Sequence, residues 1–266
     1  MPTPYDDMWE KLNIISTYKS FRKEKIMSRI SYLTRVVWLV AALMAFAGMA
    51  QAAMWVGGEM GPNFIANTDV KVTAPGSSTT LKNVGVDPAV LGGVTVGYDF
   101  VNAGFLGYDY PQWMSYFGFL VDFSYDRYPI SNQTVTAVTN GSSSVTHFGG
   151  ADGRIYPLAF VFYAHYGFLK DSDVPVGRLH PYIGVGPAIA FSSLQIKGYG
   201  TSTAANVALA VEGGIRYVLT ASVTLDLALR YRYVQPDYSY NIPGGKADVS
   251  FTAHSFTPLL RVAYHF

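Results

Sequence analysis

The chain has 266 residues, and its 19 basic and 18 acidic side chains give a formal net charge of +1, which provides no electrostatic reason to expect a nucleic acid partner. Cysteine is absent, so disulfides, thiolate catalysis and cysteine-based metal centres are excluded. Only one segment is continuously apolar, which argues against a bundle of membrane helices although charged residues make up just 14% of the chain.

That apolar run lies near the amino terminus, at 36–50, after Arg29 and Arg35. It ends at Ala50, which is followed by Gln51 and Ala52. A short basic region, an apolar segment of about 7–15 residues and an A-x-A site describe a secretory signal peptide. The competing interpretation, a membrane anchor, is disfavoured because a spanning helix needs about 20 apolar residues.

These signals divide the chain into three parts. Residues 27–52 are predicted to be a signal peptide cleaved between Ala52 and Ala53. Residues 1–26 are interpreted as an upstream extension, either from a start codon called too early or as a disordered cytoplasmic tail. Residues 53–266 form the mature domain.

The mature domain alternates between apolar and polar side chains with a period of two, which is typical of β-strands. In the segment 223–233, for example, Leu225, Leu227 and Leu229 share one face, while Asp226 and Arg230 share the other. The same pattern predicts eight strands, at 54–65, 88–99, 115–127, 154–166, 180–192, 207–217, 223–233 and 255–266.

The polar faces of these strands decide between a soluble barrel or sandwich and a membrane barrel. They consist mostly of Gly, Ala, Ser, Thr and Tyr, which suit a narrow lumen better than a solvated surface. The apolar faces carry tyrosine toward the segment ends, as an interfacial girdle requires. The pattern therefore predicts an all-β fold, an eight-stranded antiparallel up-and-down transmembrane β-barrel whose sheet must close because lipid cannot satisfy a free edge.

The connections between the predicted strands alternate in length. Those at 100–113, 167–179 and 219–222 are short or moderate, and the others, at 66–87, 127–153, 193–204 and 234–251, are mostly long and polar. This alternation indicates periplasmic turns and extracellular loops, with both termini periplasmic. Fragments at 70–72 and 134–138 indicate hairpins that extend beyond the lipid.

Three segments carry a resemblance to a known family: 180–186 (HPYIGVG), 213–217 (GGIRY) and the terminal 264–266 (YHF). Together with the alternation they resemble the small eight-stranded bacterial outer-membrane barrels of the OmpA, OmpX and opacity type, over residues 54–266. The resemblance implies an outer-membrane location. It also implies that Tyr264 and Phe266 form the signal recognised by the barrel-assembly machinery.

The strongest chemical candidate is a set of charged residues on the lumen-facing parity. Its members are Glu59, Asp122, Asp126, Glu212, Arg216, Asp226, Arg230, Arg232 and Arg261. The short turn after 219 predicts that Arg216 faces Asp226 and that Glu212 faces Arg230. The set is either a charged gate for small solutes or a plug of ion pairs, and the narrow lumen of eight strands favours the plug.

No metal, cofactor or catalytic residue is expected. His165, His180 and His265 share the lumen parity, but the strand of His265 is predicted to lie elsewhere around the ring. Lipid A deacylases of this size carry a His-x-Ser-Asn motif, whereas here His254 and Ser255 are adjacent and point to opposite faces.

The function favoured by these observations is a structural or surface-interaction role through the extracellular loops. Loops 127–153 and 234–251 would bind a host or cell-surface ligand or lipopolysaccharide, with Tyr238 and Tyr240 as exposed contact residues. The main alternative is a narrow channel or an OmpW-like conduit for small molecules. A lipid-modifying enzyme is the more remote alternative.

Overall fold

A computed structural model describes residues 54–100, 110–172 and 174–266. The predicted extension at 1–26, the signal peptide at 27–52 and its cleavage site at Ala50, Ala52 and Ala53 lie outside the described residues. No helix within the described ranges is both long and apolar enough to span a membrane.

The described residues form β-strands, together with a short 3-10 helix (Gln112–Tyr116). In chain order the strands are β1 (Met54–Ile65), β2 (Thr68–Ala74), β3 (Ser77–Val84), β4 (Ala89–Asp99), β5 (Phe117–Ile130), β6 (Gln133–Thr139), β7 (Ser142–Phe148), β8 (Ala151–His165), β9 (Leu179–Ile196), β10 (Gly200–Thr220), β11 (Val223–Val234), β12 (Asp237–Ile242), β13 (Gly245–Phe251) and β14 (Ala253–His265).

Eight of these strands close into an antiparallel barrel, in the order β1-β14-β11-β10-β9-β8-β5-β4. The barrel closes because β1 pairs with β14 on one side and with β4 on the other. These are the eight strands predicted from the alternation, so the expected fold class is confirmed. The resemblance to small eight-stranded barrels is confirmed at the level of this architecture.

The apolar side chains point outward from the barrel and the small or charged ones point inward. Leu227, Leu229 and Val262 are each at least 50% exposed, whereas Ala159, Ala188 and Ala210 on the inner face are buried. A folded surface with a continuous apolar exterior and a polar interior is the arrangement of a transmembrane barrel.

Close packing inside the barrel depends on glycine at a few positions. A Cβ atom added at Gly97 would overlap the indole of Trp55, and one added at Gly118 would overlap the ring of Tyr163. The small residues of the polar face therefore make room for large side chains that fill the lumen.

A second, six-stranded sheet lies at one end of the barrel, in the order β12-β13-β2-β3-β6-β7. It is built from three of the predicted long loops, and the predicted strand fragments at 70–72 and 134–138 lie in β2 and β6. We call this end the loop end. The opposite end, where Met54 and Phe266 lie, is called the terminal end.

The prediction of a loop over residues 193–204 is wrong. Here β9 and β10 continue pairing up to Ile196 and Gly200, and only 197–199 turn. The Ser, Thr and Ala residues of this stretch resemble loop composition, but they continue a hairpin whose backbone groups satisfy one another across the pair.

Candidate functional site

The nine predicted lumen charges all lie inside the barrel and are at most 5% exposed. The register predicted for β10 and β11 is confirmed, because Arg216 pairs with Asp226 and Glu212 with Arg230. Glu59 on β1 lies directly opposite Arg261 on β14. Strand pairing alone therefore places opposite charges side by side.

Arg230 is the centre of one half of the network. Its Nη1 donates to Glu59 Oε1 at 2.6 Å and to Asp122 Oδ1 at 3.0 Å. Its Nε donates to Glu212 Oε2 at 2.8 Å. One guanidinium thus neutralises carboxylates from three other strands, β1, β5 and β10, across the lumen.

Arg261 is the centre of the other half. Its Nη2 donates to Glu59 Oε2 at 2.7 Å and to Glu212 Oε1 at 2.9 Å, and its Nη1 donates to Asp226 Oδ2 at 3.2 Å. Arg216 Nε also donates to Asp226, at 3.2 Å. The two halves share Glu59 and Glu212, so the ion pairs form one connected layer across the barrel.

Asp126 and Arg232 do not join this layer. Asp126 accepts a short hydrogen bond from Asn63 Nδ2, while Arg232 Nη2 donates to Ser124 Oγ at 3.3 Å. Arg232 Nε has no hydrogen-bond partner among the described residues. Both charges lie nearer the loop end, beside Tyr128.

Tyr238 and Tyr240 are buried rather than exposed, with only 1% and 4% of their surfaces accessible. The Tyr238 hydroxyl donates to Ser192 Oγ at 2.7 Å, and the Tyr240 hydroxyl donates to the carbonyl of Leu194 at 2.7 Å. Their expected exposure was wrong because β12 forms a sheet whose one face packs over the mouth of the barrel. These tyrosines therefore close the loop end of the lumen.

The terminal end contains a polar cluster that sequence reasoning missed. Its centre is Asp99, the last residue of β4, which accepts a short hydrogen bond from Tyr163 and lies 3.4 Å from Arg216 Nη1. The sequence does indicate that Asp99 faces the lumen, because Asp99 continues the lumen-facing parity of Thr95 and Gly97.

Two of the three predicted lumen histidines face Asp99, and the third contacts one of them. His165 Nε2 lies 3.9 Å from one carboxylate oxygen and His265 Nδ1 lies 4.0 Å from the other. His180 Nδ1 lies 3.3 Å from His165 Nδ1. The strand of His265 lies elsewhere around the ring, as predicted, but its side chain still reaches Asp99 because a narrow lumen brings together side chains from strands that are not neighbours. No group of side chains suited to hold a metal ion is found in the described part of the chain.

The remaining predicted residues lie on the barrel wall. Tyr264 and Phe266 are half-exposed at the terminal end, with their rings 5.3 Å apart. His254 bonds the Tyr231 hydroxyl at 2.8 Å, whereas Ser255 is buried on the inner face. The adjacent histidine and serine thus point to opposite sides of the wall, as predicted.

No family model and no curated protein matches the chain. Among solved structures, it is similar to the Neisserial surface protein A (NspA), with 15% identity and a TM-score of 0.44 over 80% of this chain and 97% of that one. It is also similar to the outer membrane protein OprG from Pseudomonas aeruginosa, with 15% identity and a TM-score of 0.48 over 81% and 96%. A third is the outer membrane protease OmpT from Escherichia coli, with 8% identity and a TM-score of 0.44 over 82% and 98%. At this level of similarity the strand pairing, rather than the likeness, carries the assignment of the barrel.

Proposed function

We propose that the protein is an integral outer-membrane barrel that acts at the cell surface through its loop-end sheet. The observation that carries the proposal is the contrast between the two parts of the fold. The lumen is filled by a connected layer of ion pairs, whereas three long hairpins join into a six-stranded sheet beyond the barrel. An ordered external sheet together with a filled lumen favours contact with a partner at the cell surface over transport of solutes through the barrel.

In this proposal the loop end is extracellular and the terminal end is periplasmic. The targeting segment at 27–52 would direct the chain across the inner membrane, and Tyr264 and Phe266 would present the assembly signal. Replacing Phe266 by Ala should lower the amount of protein in the outer membrane without altering the ion-pair layer. Fractionation of cells expressing both forms measures this effect.

The first experiment tests the surface role. The hairpin of β6 and β7 is replaced by a two-residue turn, because this hairpin forms one margin of the sheet and its loss leaves the other four strands paired. Adhesion of expressing bacteria to cultured cells and their survival in serum should both decrease. Val145→Ser, a change at a 75% exposed position of β7, serves as the control. Unchanged adhesion and survival for a folded deletion variant would refute the surface role.

The second experiment tests the filled lumen against the channel alternative. Planar-bilayer recording of the refolded protein should show no steady conductance. Arg230→Ala should introduce conducting events, because it removes the group that bridges Glu59, Asp122 and Glu212. Steady conductance in the unmodified protein would favour the channel instead.

A further inference from the structure

A cavity of about 530 Å³ opens at the terminal end, opposite the loop-end sheet. Its lining includes six polar residues, Asp99, His165, His180, Arg216, Thr224 and His265, of which His180, Arg216 and Thr224 are buried. Its outer lining includes the aromatic residues Phe100, Tyr116, Tyr166 and Phe266. A concave site of this volume, with apolar walls and a few polar groups at its base, has the form of a small-molecule pocket.

The hydrogen bonds at the base leave an acceptor without a donor. His180 Nε2 lies 2.7 Å from the carbonyl of Gly177 and must donate to it, so in a neutral ring Nδ1 of His180 is an acceptor. His165 Nδ1 then donates to His180, which leaves a lone pair on His165 Nε2. This nitrogen has no partner in the described part of the chain and faces the Asp99 carboxylate at 3.9 Å. A proton donor placed between these two acceptors would satisfy both of them.

The charge balance indicates that this donor should be a cation. The connected layer and the Asp99 cluster are linked by ion pairs of at most 3.4 Å. They contain the five carboxylates Glu59, Asp99, Asp122, Glu212 and Asp226 but only the three guanidinium groups Arg216, Arg230 and Arg261. Of the carboxylates, Asp99 is the one that lines the cavity. Uncompensated negative charge in a buried site is costly, so a cation that reaches Asp99 is stabilised there.

We propose that this cavity binds a small organic cation, with its ammonium group at Asp99 and its apolar body against the aromatic lining. The ammonium would donate to the Asp99 carboxylate and to His265 Nδ1, which lies 4.0 Å from Asp99. Rings of Tyr116 and Tyr166, stacked 5.7 Å apart, provide π faces near the opening. Primary amines with an aromatic or short aliphatic body combine the ammonium group with the apolar body.

Other charged groups at the cavity set the pH dependence of this binding. Arg216 on β10 is held between Asp99 and Asp226, and Lys170 lies at the exposed edge. Protons on the three histidines would supply the same positive charge as the ligand and would compete with it. Binding of an amine should therefore weaken at an acidic pH, where these imidazoles take up protons.

The test is calorimetric titration of the full chain, refolded in non-ionic detergent at pH 8, with 2-phenylethylamine as the probe. Saturable binding is expected for the amine and not for 2-phenylethanol, which has the same body without the charge. Asp99→Asn should weaken amine binding about tenfold or more, since it removes a charged hydrogen-bond acceptor. Asp152→Asn, on the loop-end side of β8, is the matched control and should leave binding unchanged.

A second variant keeps the test informative if Asp99→Asn does not fold. Tyr116→Ala removes a half-exposed ring that takes no part in the ion-pair network, and it should also weaken binding of the amine. Equal uptake of 2-phenylethylamine and 2-phenylethanol would overturn the proposal, since that result indicates partitioning into detergent. Equal affinity in the unmodified protein and in folded Asp99→Asn would overturn it as well. The surface role of the loop-end sheet is unaffected by either result.

Discussion

Arg230→Met is the most direct perturbation of the lumen, because it removes a charge while keeping an unbranched apolar stem of similar length. Arg230 is 1% exposed and donates to three carboxylates at 2.6–3.0 Å. Its loss leaves Asp122 without an ion pair and leaves Glu59 and Glu212 dependent on Arg261 alone. Removing one partner of a buried ion pair typically costs about 3–5 kcal/mol, and we expect a decrease in the free energy of unfolding in this range.

The assay is urea unfolding of the barrel refolded in lipid vesicles, followed by tryptophan fluorescence, with refolding checked by the heat-dependent mobility shift on gels. Arg154→Met is the matched control, because Arg154 forms a half-exposed ion pair with Asp152 at 3.5 Å. Such surface pairs contribute about 0–1 kcal/mol. If Arg230→Met cost no more than this control, the ion-pair layer would not hold the lumen together and the reasoning would be wrong.

Three further predictions concern the wall, the loop end and the sheet. Leu227→Arg, on the lipid-facing side, should destabilise the barrel by about 2–4 kcal/mol in the same unfolding assay, whereas Val145→Arg in the external sheet should change stability by less than about 0.5 kcal/mol. Tyr238→Phe should cost about 1 kcal/mol, because it removes a buried hydroxyl with hydrogen bonds to β5 and β9 side chains, and no loss would contradict its closing role. The hydrogen bond from Lys82 lowers the pKa of Asp69 below its usual value, so the stabilisation is present above about pH 3.9 and is lost as the pH falls through the folded-state pKa. An NMR titration should show this pKa rising in Lys82→Met, and an unchanged value would exclude the ion pair as its cause.

The barrel itself could be predicted from the sequence because its signal is local. A period of two determines which side chains share a face, and the identity of the inward residues separates a lipid-facing barrel from a soluble one. The pairing of Glu212 with Arg230 could also be predicted, since a tight turn between neighbouring strands sets their register. Each of these inferences uses residues close together in the chain.

Contacts across the lumen could not be predicted in this way. Arg230 contacts Glu59 although 171 positions separate them, and Asp99 lies within 4.0 Å of histidines from β8 and β14. These side-chain contacts depend on the closure of the barrel, its diameter and the direction of each side chain, and no local sequence pattern encodes these properties. The same applies to Tyr238 and Tyr240, whose burial follows from the assembly of three separate hairpins into one sheet.

The amino-acid sequence by itself therefore determined the number of barrel strands, the face on which each of their side chains lies and the outward position of the apolar side chains, because alternation along a strand is a property of neighbouring residues. The tertiary structure alone decided which charges meet in the lumen, which tyrosines are buried and where a cavity opens. These features arise from long-range closure of the sheet, and closure places in contact groups that lie far apart along the chain.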